Sequence, residues 1–278
     1  AGIHAGEIEG KDAGFWLARD LVTGAALPEL LDAATVVFVP IFNVDGHERF
    51  GANNRPNQRG PEEMGFRTNA AGLNLNRDFV KVDTPEMAAL LGLWRRWDPT
   101  LFVDLHTTDG AKFEHDVAVM VAPKASRGDD LEAAGRALQG ALIERVTAAG
   151  HLPLAFYPSF DVDDDPSSGF TDGDAPPRFS QAYATTRNRL GILVETHSWR
   201  TYPERVASTR HVLEAVLAEA AAHGRHWRDV EAAADAADRG VAGKRVVLMS
   251  RGDPAAPRTI DFRGYRYQRV PSEVSGGT

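Results

Sequence analysis

His4 and Glu7 lie three residues apart in GIHAGE, His106 closes the apolar run of FVDLHT, and Glu195 follows another apolar run in GILVETHSW. Two imidazoles and one carboxylate make a three-ligand set for a zinc ion with a fourth position left to water. A second carboxylate nearby can take a proton from that water. Each part alone says little, because His211 and Glu214 repeat the His-x-x-Glu spacing on a segment that reads as a solvated helix face. His4 and Glu7 differ from that pair in context: they follow a strand end and have small neighbours in Gly2, Ala5 and Gly6.

For four side chains so far apart in sequence to meet, the elements that carry them must end at one place. Apolar runs at Thr35–Phe42, Thr100–Leu105, Val117–Val121 and Gly191–Val194 read as buried strands. They show no alternation, as expected of a sheet covered on both faces. Helical spacing of apolar residues marks Glu9–Val22, Pro85–Trp97, Asp129–Ala149 and Glu204–Ala222, with Pro85 at a first turn. Strands alternating with helices predict an α/β fold. Its sheet should be mixed but mostly parallel, with helices on both faces and a site beyond the strand carboxyl ends. All four candidates fall at such ends.

Gly46–Gly72 and the acidic Pro158–Pro177 read as loops, the second as a rim over the site. Beyond about Gly224 the pattern changes, and Lys244–Met249 and Arg258–Arg269 read as strands. The expected organisation is a catalytic-type domain over residues 1–224, with its N-terminal strands missing. Residues 225–278 would begin a C-terminal β-rich appendage.

Composition narrows the chemistry. The chain has 278 residues, 43% of them hydrophobic, enough for one large core, and no apolar run approaches a membrane span. A net charge of −8 argues against nucleic-acid binding, which clustered positive charge drives. With no cysteine, any metal must be held by His, Asp or Glu. Asp161, Asp163, Asp165 and Asp172 match part of a calcium-loop spacing, but Pro166 stands where the turn needs Gly. A solvated acidic loop is the better reading there.

The order GIHAGEIEG, NVDGHERF, FRTNAAGLNLNRDF, VDLHT and LVETH resembles the zinc metallocarboxypeptidases, the carboxypeptidase A-like family, over roughly residues 1 to 200, and among them a bacterial member. The resemblance implies a metalloprotease: a zinc-dependent exopeptidase, a hydrolase with one Zn2+ per chain. It implies His4, Glu7 and His106 as zinc ligands and Glu195 as the general base toward the metal-activated water. Arg67 corresponds to the arginine that polarises the scissile carbonyl. Asn76 and Arg77 correspond to the pair that clamps the free carboxylate of a peptide substrate. Arg, a planar and permanently charged fork, suits a carboxylate. Since many bacterial relatives are exported, a periplasmic or secreted location is expected.

Several positions depart from the family pattern. Asn74 stands where the family commonly has an Asp that partners the first zinc histidine, and Asp78 replaces a frequent Asn. An amide can still accept from an imidazole N–H but adds no charge. Asp104, two residues before His106 on the same strand face, is a candidate to supply that charge. No tyrosine stands where the family's capping tyrosine is expected, which leaves Tyr157 or Tyr202. Tyr183 reads as packing, and His197 as either a pocket residue or a strand-end cap.

Two other readings stay open. One is a zinc amidohydrolase acting on N-acyl amino acids, similar to aspartoacylase and succinylglutamate desuccinylase. The other is an inactive binding module that keeps the fold.

Overall fold

The apolar runs at the centre of the chain form one four-stranded sheet. Strands β1 (Leu101–Thr107), β2 (Val117–Ala122), β3 (Pro153–Leu154) and β4 (Leu190–Thr196) are arranged in the order β1-β4-β2-β3. β1 runs parallel to β4, and β3 parallel to β2, while β2 and β4 are antiparallel. The sheet is therefore mixed and mostly parallel, as expected. These positions come from a computed structural model, which describes every residue except 125, 126, 128, 164, 248, 249, 251, 252, 254 and 256.

Successive strand residues point to opposite faces, and this divides the molecule by chemistry. On one face Leu105, Val117, Val119, Val121, Leu190, Ile192 and Val194 form the main core with Leu131, Leu138 and Leu142 of helix α5 (Asp130–Ala148). Val212, Val216, Trp227 and Val230 of helix α7 (Tyr202–Asp238) complete it. The other face carries Phe102, Asp104 and His106 from β1, Leu193 and Glu195 from β4, and Ala118 and Met120 from β2. Its apolar members pack in two smaller clusters with Phe113 and Leu154, and with Leu75, Phe79 and Met87. Asp104, His106 and Glu195 thus share the face turned away from the main core.

Helices α1 (Glu9–Val22) and α4 (Pro85–Trp97) take the bounds read from the sequence. Asp78, the departure noted above, organises the start of α4. Its carboxylate accepts from the Asp83 and Thr84 N–H groups and the Thr84 hydroxyl, and Thr84 in turn caps the Met87 N–H. Between them lie the short helices α2 (Leu30–Ala33) and α3 (Val44–Glu48). Helix α6 (Ser180–Thr186) covers the site face against β4 and β1.

Some expectations change. Thr35–Phe42 forms no strand: the Phe42 and Asn43 N–H groups and the Val39 carbonyl bond to Ala1 and Gly2, and Val36 and Val37 stay exposed. A ladder needs repeated pairing, and this segment has it on neither edge. Helix α7 does not stop near residue 222. A capping box of Thr201 and Glu204 starts it, and buried Trp227, Val230 and Ala234 carry its apolar stripe past Gly224 to Asp238. Arg258–Arg269, read as a strand, has no strand geometry; its clearest tie is Arg263 pairing with Glu114 and His115, with Phe262 set among Phe113, Phe160 and Phe170. Of Lys244–Met249, residues 244–247 form no strand, and the last two lie outside the described residues. Among the described residues no helix is long and apolar enough to cross a membrane.

Candidate metal centre and active-site cavity

In the register of β1 and β4, His106 stands beside Glu195, so two of the four candidates are neighbours across a parallel pair. His4 and Glu7 arrive on the turn before α1. The Glu7 Oε2 atom accepts from the Thr107 backbone N–H at 3.1 Å, which fastens this turn to the end of β1. The loop over residues 46–72 packs directly on the turn. A Cβ on Gly65 would lie 2.6 Å from the Ala5 carbonyl oxygen, so only glycine permits this approach.

The result is a buried set of three. Ligand-type atoms of His4, Glu7 and His106 all lie within 4.8 Å of one another, the one such group among the described residues. Both Nδ1 atoms face Glu7, His4 at 3.0 Å and His106 at 2.9 Å. Both outer nitrogens are held: His4 Nε2 by Asn74 Oδ1 at 3.1 Å, and His106 Nε2 by Asp104 Oδ2 at 2.8 Å. A neutral imidazole carries one N–H. With that proton on Nε2, bonded outward, each Nδ1 presents a lone pair inward toward a carboxylate oxygen. Such an arrangement needs a cation at its centre, protons or a metal ion, and a His2Glu donor set is one that zinc accepts. The residues present therefore fit the ion.

The electrostatics follow from the same partners. Burial disfavours charge on Glu7, but His4, Arg55 and His106 hold its carboxyl well below the usual range. Burial also opposes charge on His106, yet Asp104 and Glu7 raise it well above an ordinary histidine. His4, which has an amide rather than a carboxylate behind it, moves the other way because burial prevails. Burial pushes Glu195 up to about 8, with the carboxylates of Glu7, Asp109 and Asp104 adding to the shift and His106 opposing it. A carboxyl near neutrality is suited to exchange protons.

His4, Glu7, His106 and Glu195 line one cavity of about 340 Å³, together with Arg67, Asn76 and Arg77. The structure thus brings all seven predicted residues to one wall system. Arg67 Nη1 stands 3.5 Å from Glu7 Oε1. Arg77 lies 4.4 Å over the Phe179 ring and donates to the Asn76 carbonyl at 2.6 Å. Burial, with Arg67 and Arg178 close by, lowers the Arg77 guanidinium from its ordinary value; such a concentration of cations calls for an anion. The side chain of Asn74 accepts from both His4 and the Asn76 N–H, tying the metal set to this cationic turn.

Tyr157 lines the cavity, and burial beside Glu195 raises its phenol. Tyr202 instead donates to Asp12 at 2.5 Å, and Tyr183 packs against Phe79 and Trp94. His197 is a strand-end cap: buried, stacked 3.9 Å over Phe113, and accepting the Phe113 N–H at 3.2 Å. The His211–Glu214 pair is not a freely solvated face, since His211 bonds His151 at 2.8 Å and Glu214 pairs with Arg210. In the acidic rim, Asp165 is held by Arg269 and Asp172 by Lys124.

Sequence reasoning missed Arg55. It is buried and reaches Glu7 at 3.1 Å, Asp109 at 3.2 Å and Gln58 at 3.2 Å. It also missed Gln181, whereas residues 171–175, within the loop expected to form the rim, do line the cavity. Arg55 lies on an irregular loop and Gln181 on a helix of only seven residues, so spacing held no sign of them.

Residues 1–112 match the model of the zinc carboxypeptidase family, Peptidase M14. No curated protein matches the sequence. Among solved structures, a metallo-carboxypeptidase from Burkholderia cenocepacia aligns at 20% identity and a TM-score of 0.56, covering 78% of this chain and 54% of that one. A metallo-carboxypeptidase from Pseudomonas aeruginosa, in complex with (2-guanidinoethylmercapto)succinic acid, aligns at 18% identity and 0.55, covering 78% and 55%. The chain therefore spans about half the length of these two proteins. Its first 112 residues carry the signature of the zinc carboxypeptidases, and the chain built around them has the fold of a metallo-carboxypeptidase.

Proposed function

We propose that the chain is a zinc-dependent exopeptidase that removes the C-terminal residue of a peptide. The observation that carries this reading is the convergence of His4, Glu7, His106, Glu195, Arg67, Asn76 and Arg77 on one cavity. His4, Glu7 and His106 would hold the ion. When bound, zinc lowers the pKa of water and polarises a carbonyl. The remaining work falls to the chain's own side chains. Glu195 takes a proton from the attacking water on a carboxylate oxygen and delivers it to the leaving amine nitrogen. Arg67 offers guanidinium N–H groups to the oxygen on which charge develops. Arg77, with Asn76, binds the free carboxylate, and that contact selects the last peptide bond of a chain rather than an internal one.

The test separates metal from chemistry. Glu195→Gln keeps the shape and the three ligands, so it should retain one zinc per chain while hydrolysis falls about 10²-fold or more. Near-normal turnover by that variant would sink the mechanism, and wild-type protein without stoichiometric zinc would sink the metal assignment. Short peptides set against N-acyl amino acids separate peptide trimming from amidohydrolase activity.

A further inference from the structure

Away from the cavity, two histidines are brought face to face by three separate elements. Helix α5 ends at Ala148, and Gly150, at φ 91°, turns the chain out of it. The Gly150 N–H bonds the Thr147 carbonyl at 2.9 Å, and the His151 N–H returns to the Val146 carbonyl at 3.2 Å. His151 is thereby fixed at the helix end. Asp116, the residue before β2, reaches the same turn. Its carboxylate accepts from the Leu152 N–H at 2.8 Å and from His151 Nδ1 at 2.6 Å. On the other side, His151 Nε2 lies 2.8 Å from Nδ1 of His211 on α7. None of these residues lines the cavity, and all are partly exposed.

This order fixes where the lone pairs lie. An ionised carboxylate only accepts, so His151 carries its proton on Nδ1 and turns the Nε2 lone pair toward His211. Burial opposes charge on Asp116, but His151 and the Leu152 N–H hold its carboxyl below the usual range. Burial and the neighbouring His151 push His211 down, which keeps its ring neutral. His211 Nε2 has no hydrogen-bond partner among the described residues, so it can carry the ring's proton and leave Nδ1 free. Two lone pairs then aim at one point. A carboxylate behind an imidazole, orienting its other nitrogen, is the outer support found around histidine metal ligands. The negative end of α5 also favours a cation there. Glu214 is not part of the arrangement, since Arg210 holds its Oε1 at 2.8 Å. Metal–nitrogen bonds of about 2.0–2.1 Å place two nitrogens about 3.3 Å apart at a tetrahedral angle and about 2.9 Å apart at a right angle. The observed 2.8 Å fits the right angle of a tetragonal ion.

We infer that His151 and His211 form a second metal site, for a divalent ion of the copper(II) or nickel(II) class. His151 Nε2 and His211 Nδ1 are adjacent ligands, and water takes the remaining positions. Asp116 is a positioning residue that orients His151 without touching the ion. The bound ion replaces the proton shared by the two rings and clamps α7 to the turn between α5 and β3. Nothing in this site depends on the exopeptidase reading.

Copper(II), added to the zinc-loaded full chain without an affinity tag, tests the site, with zinc and copper both counted after desalting. The wild type should gain one copper per chain without losing zinc. Its pulsed electron paramagnetic resonance spectrum should show two coordinated imidazoles, a readout that needs no variant. His151→Gln and His211→Gln should each lose that copper while keeping the wild-type circular dichroism spectrum. Asp116→Asn should bind it about 10–100-fold more weakly. His226→Gln, which removes one of the two exposed histidines His223 and His226 farther along α7, should bind it as the wild type does. Copper that enters only as zinc leaves, a spectrum without two imidazoles, or copper retained by both His151→Gln and His211→Gln overturns the inference. Loss of the copper in His226→Gln does so too, by assigning the ion to the exposed pair.

Discussion

Behind the two histidines of the metal set stand unequal partners: His4 is backed by the neutral amide of Asn74, His106 by the carboxylate of Asp104. Both fix the ring so that Nδ1 faces inward, but only a carboxylate also raises the basicity of the ring. The charge that the family commonly places behind the first histidine is here found behind the other. Asp104 keeps that charge although buried, because His106 holds its carboxyl below the usual range. Asp104→Asn should therefore weaken zinc binding about 10–100-fold, read by competition with a chromogenic chelator. Asn74→Asp should strengthen it, since His4 would gain the charge it lacks. Equal affinities in all three proteins would show that the outer partners only orient the rings. Arg55 enters the same balance from the side, bound to the Glu7 oxygen that also faces His4.

At the scale of elements, the site is placed by two strands whose period of two puts Asp104, His106 and Glu195 on one face. That much was legible in the sequence. Apolar runs marked β1, β2 and β4, and helical spacing marked α1 and α4 to the residue. What escaped was set by contacts between distant segments. Helix α6 has seven residues and follows an irregular rim, too short for a periodic signal, yet it supplies Gln181. The expected strand at Thr35–Phe42 has the right residues but lacks an edge to complete. The position of α6 depends on a glycine: a Cβ at Gly191 would meet the Gln181 carbonyl at 2.4 Å and the Gln181 Cα at 2.7 Å. Both are backbone atoms and cannot turn aside. Gly191→Ala should cost about 1–3 kcal/mol in urea unfolding, with α6 displaced from the cavity wall. Gly92→Ala on α4, where nothing lies within 4 Å, should instead stabilise by about 1 kcal/mol. If both substitutions act alike, the close approach at Gly191 does not hold α6.

Over the whole molecule, the segment after β4 binds the layers together. Arg205 of α7, fully buried, pairs with Glu9 of α1 and donates to the carbonyls of Arg59, Gly60 and Ser198, so one guanidinium joins two helices, the long loop and the end of β4. Glu9 also accepts from Thr107 at 2.7 Å at the end of β1. His197 sits in this junction as a neutral ring. Burial holds its pKa down to about 4, with Arg200 adding to the shift. The folded value thus lies below that of an unfolded histidine, about 6.5. Above pH 6.5 both states are neutral at this site and its contribution is fully present. As the pH falls from 6.5 toward 4, the unfolded chain takes up a proton that the folded chain refuses, so stability is lost by about 1.4 kcal/mol per pH unit. His197→Gln retains an acceptor for the Phe113 N–H but has no proton to gain. Its unfolding free energy, measured in urea between pH 4 and 6.5, should fall less steeply than that of the wild type by about one proton. Carboxylates elsewhere titrate alike in both proteins and cancel in the comparison. Parallel curves would mean that His197 accepts a proton within the folded junction, beside the cations of Arg200 and Arg205, and that the junction yields to charge rather than excluding it.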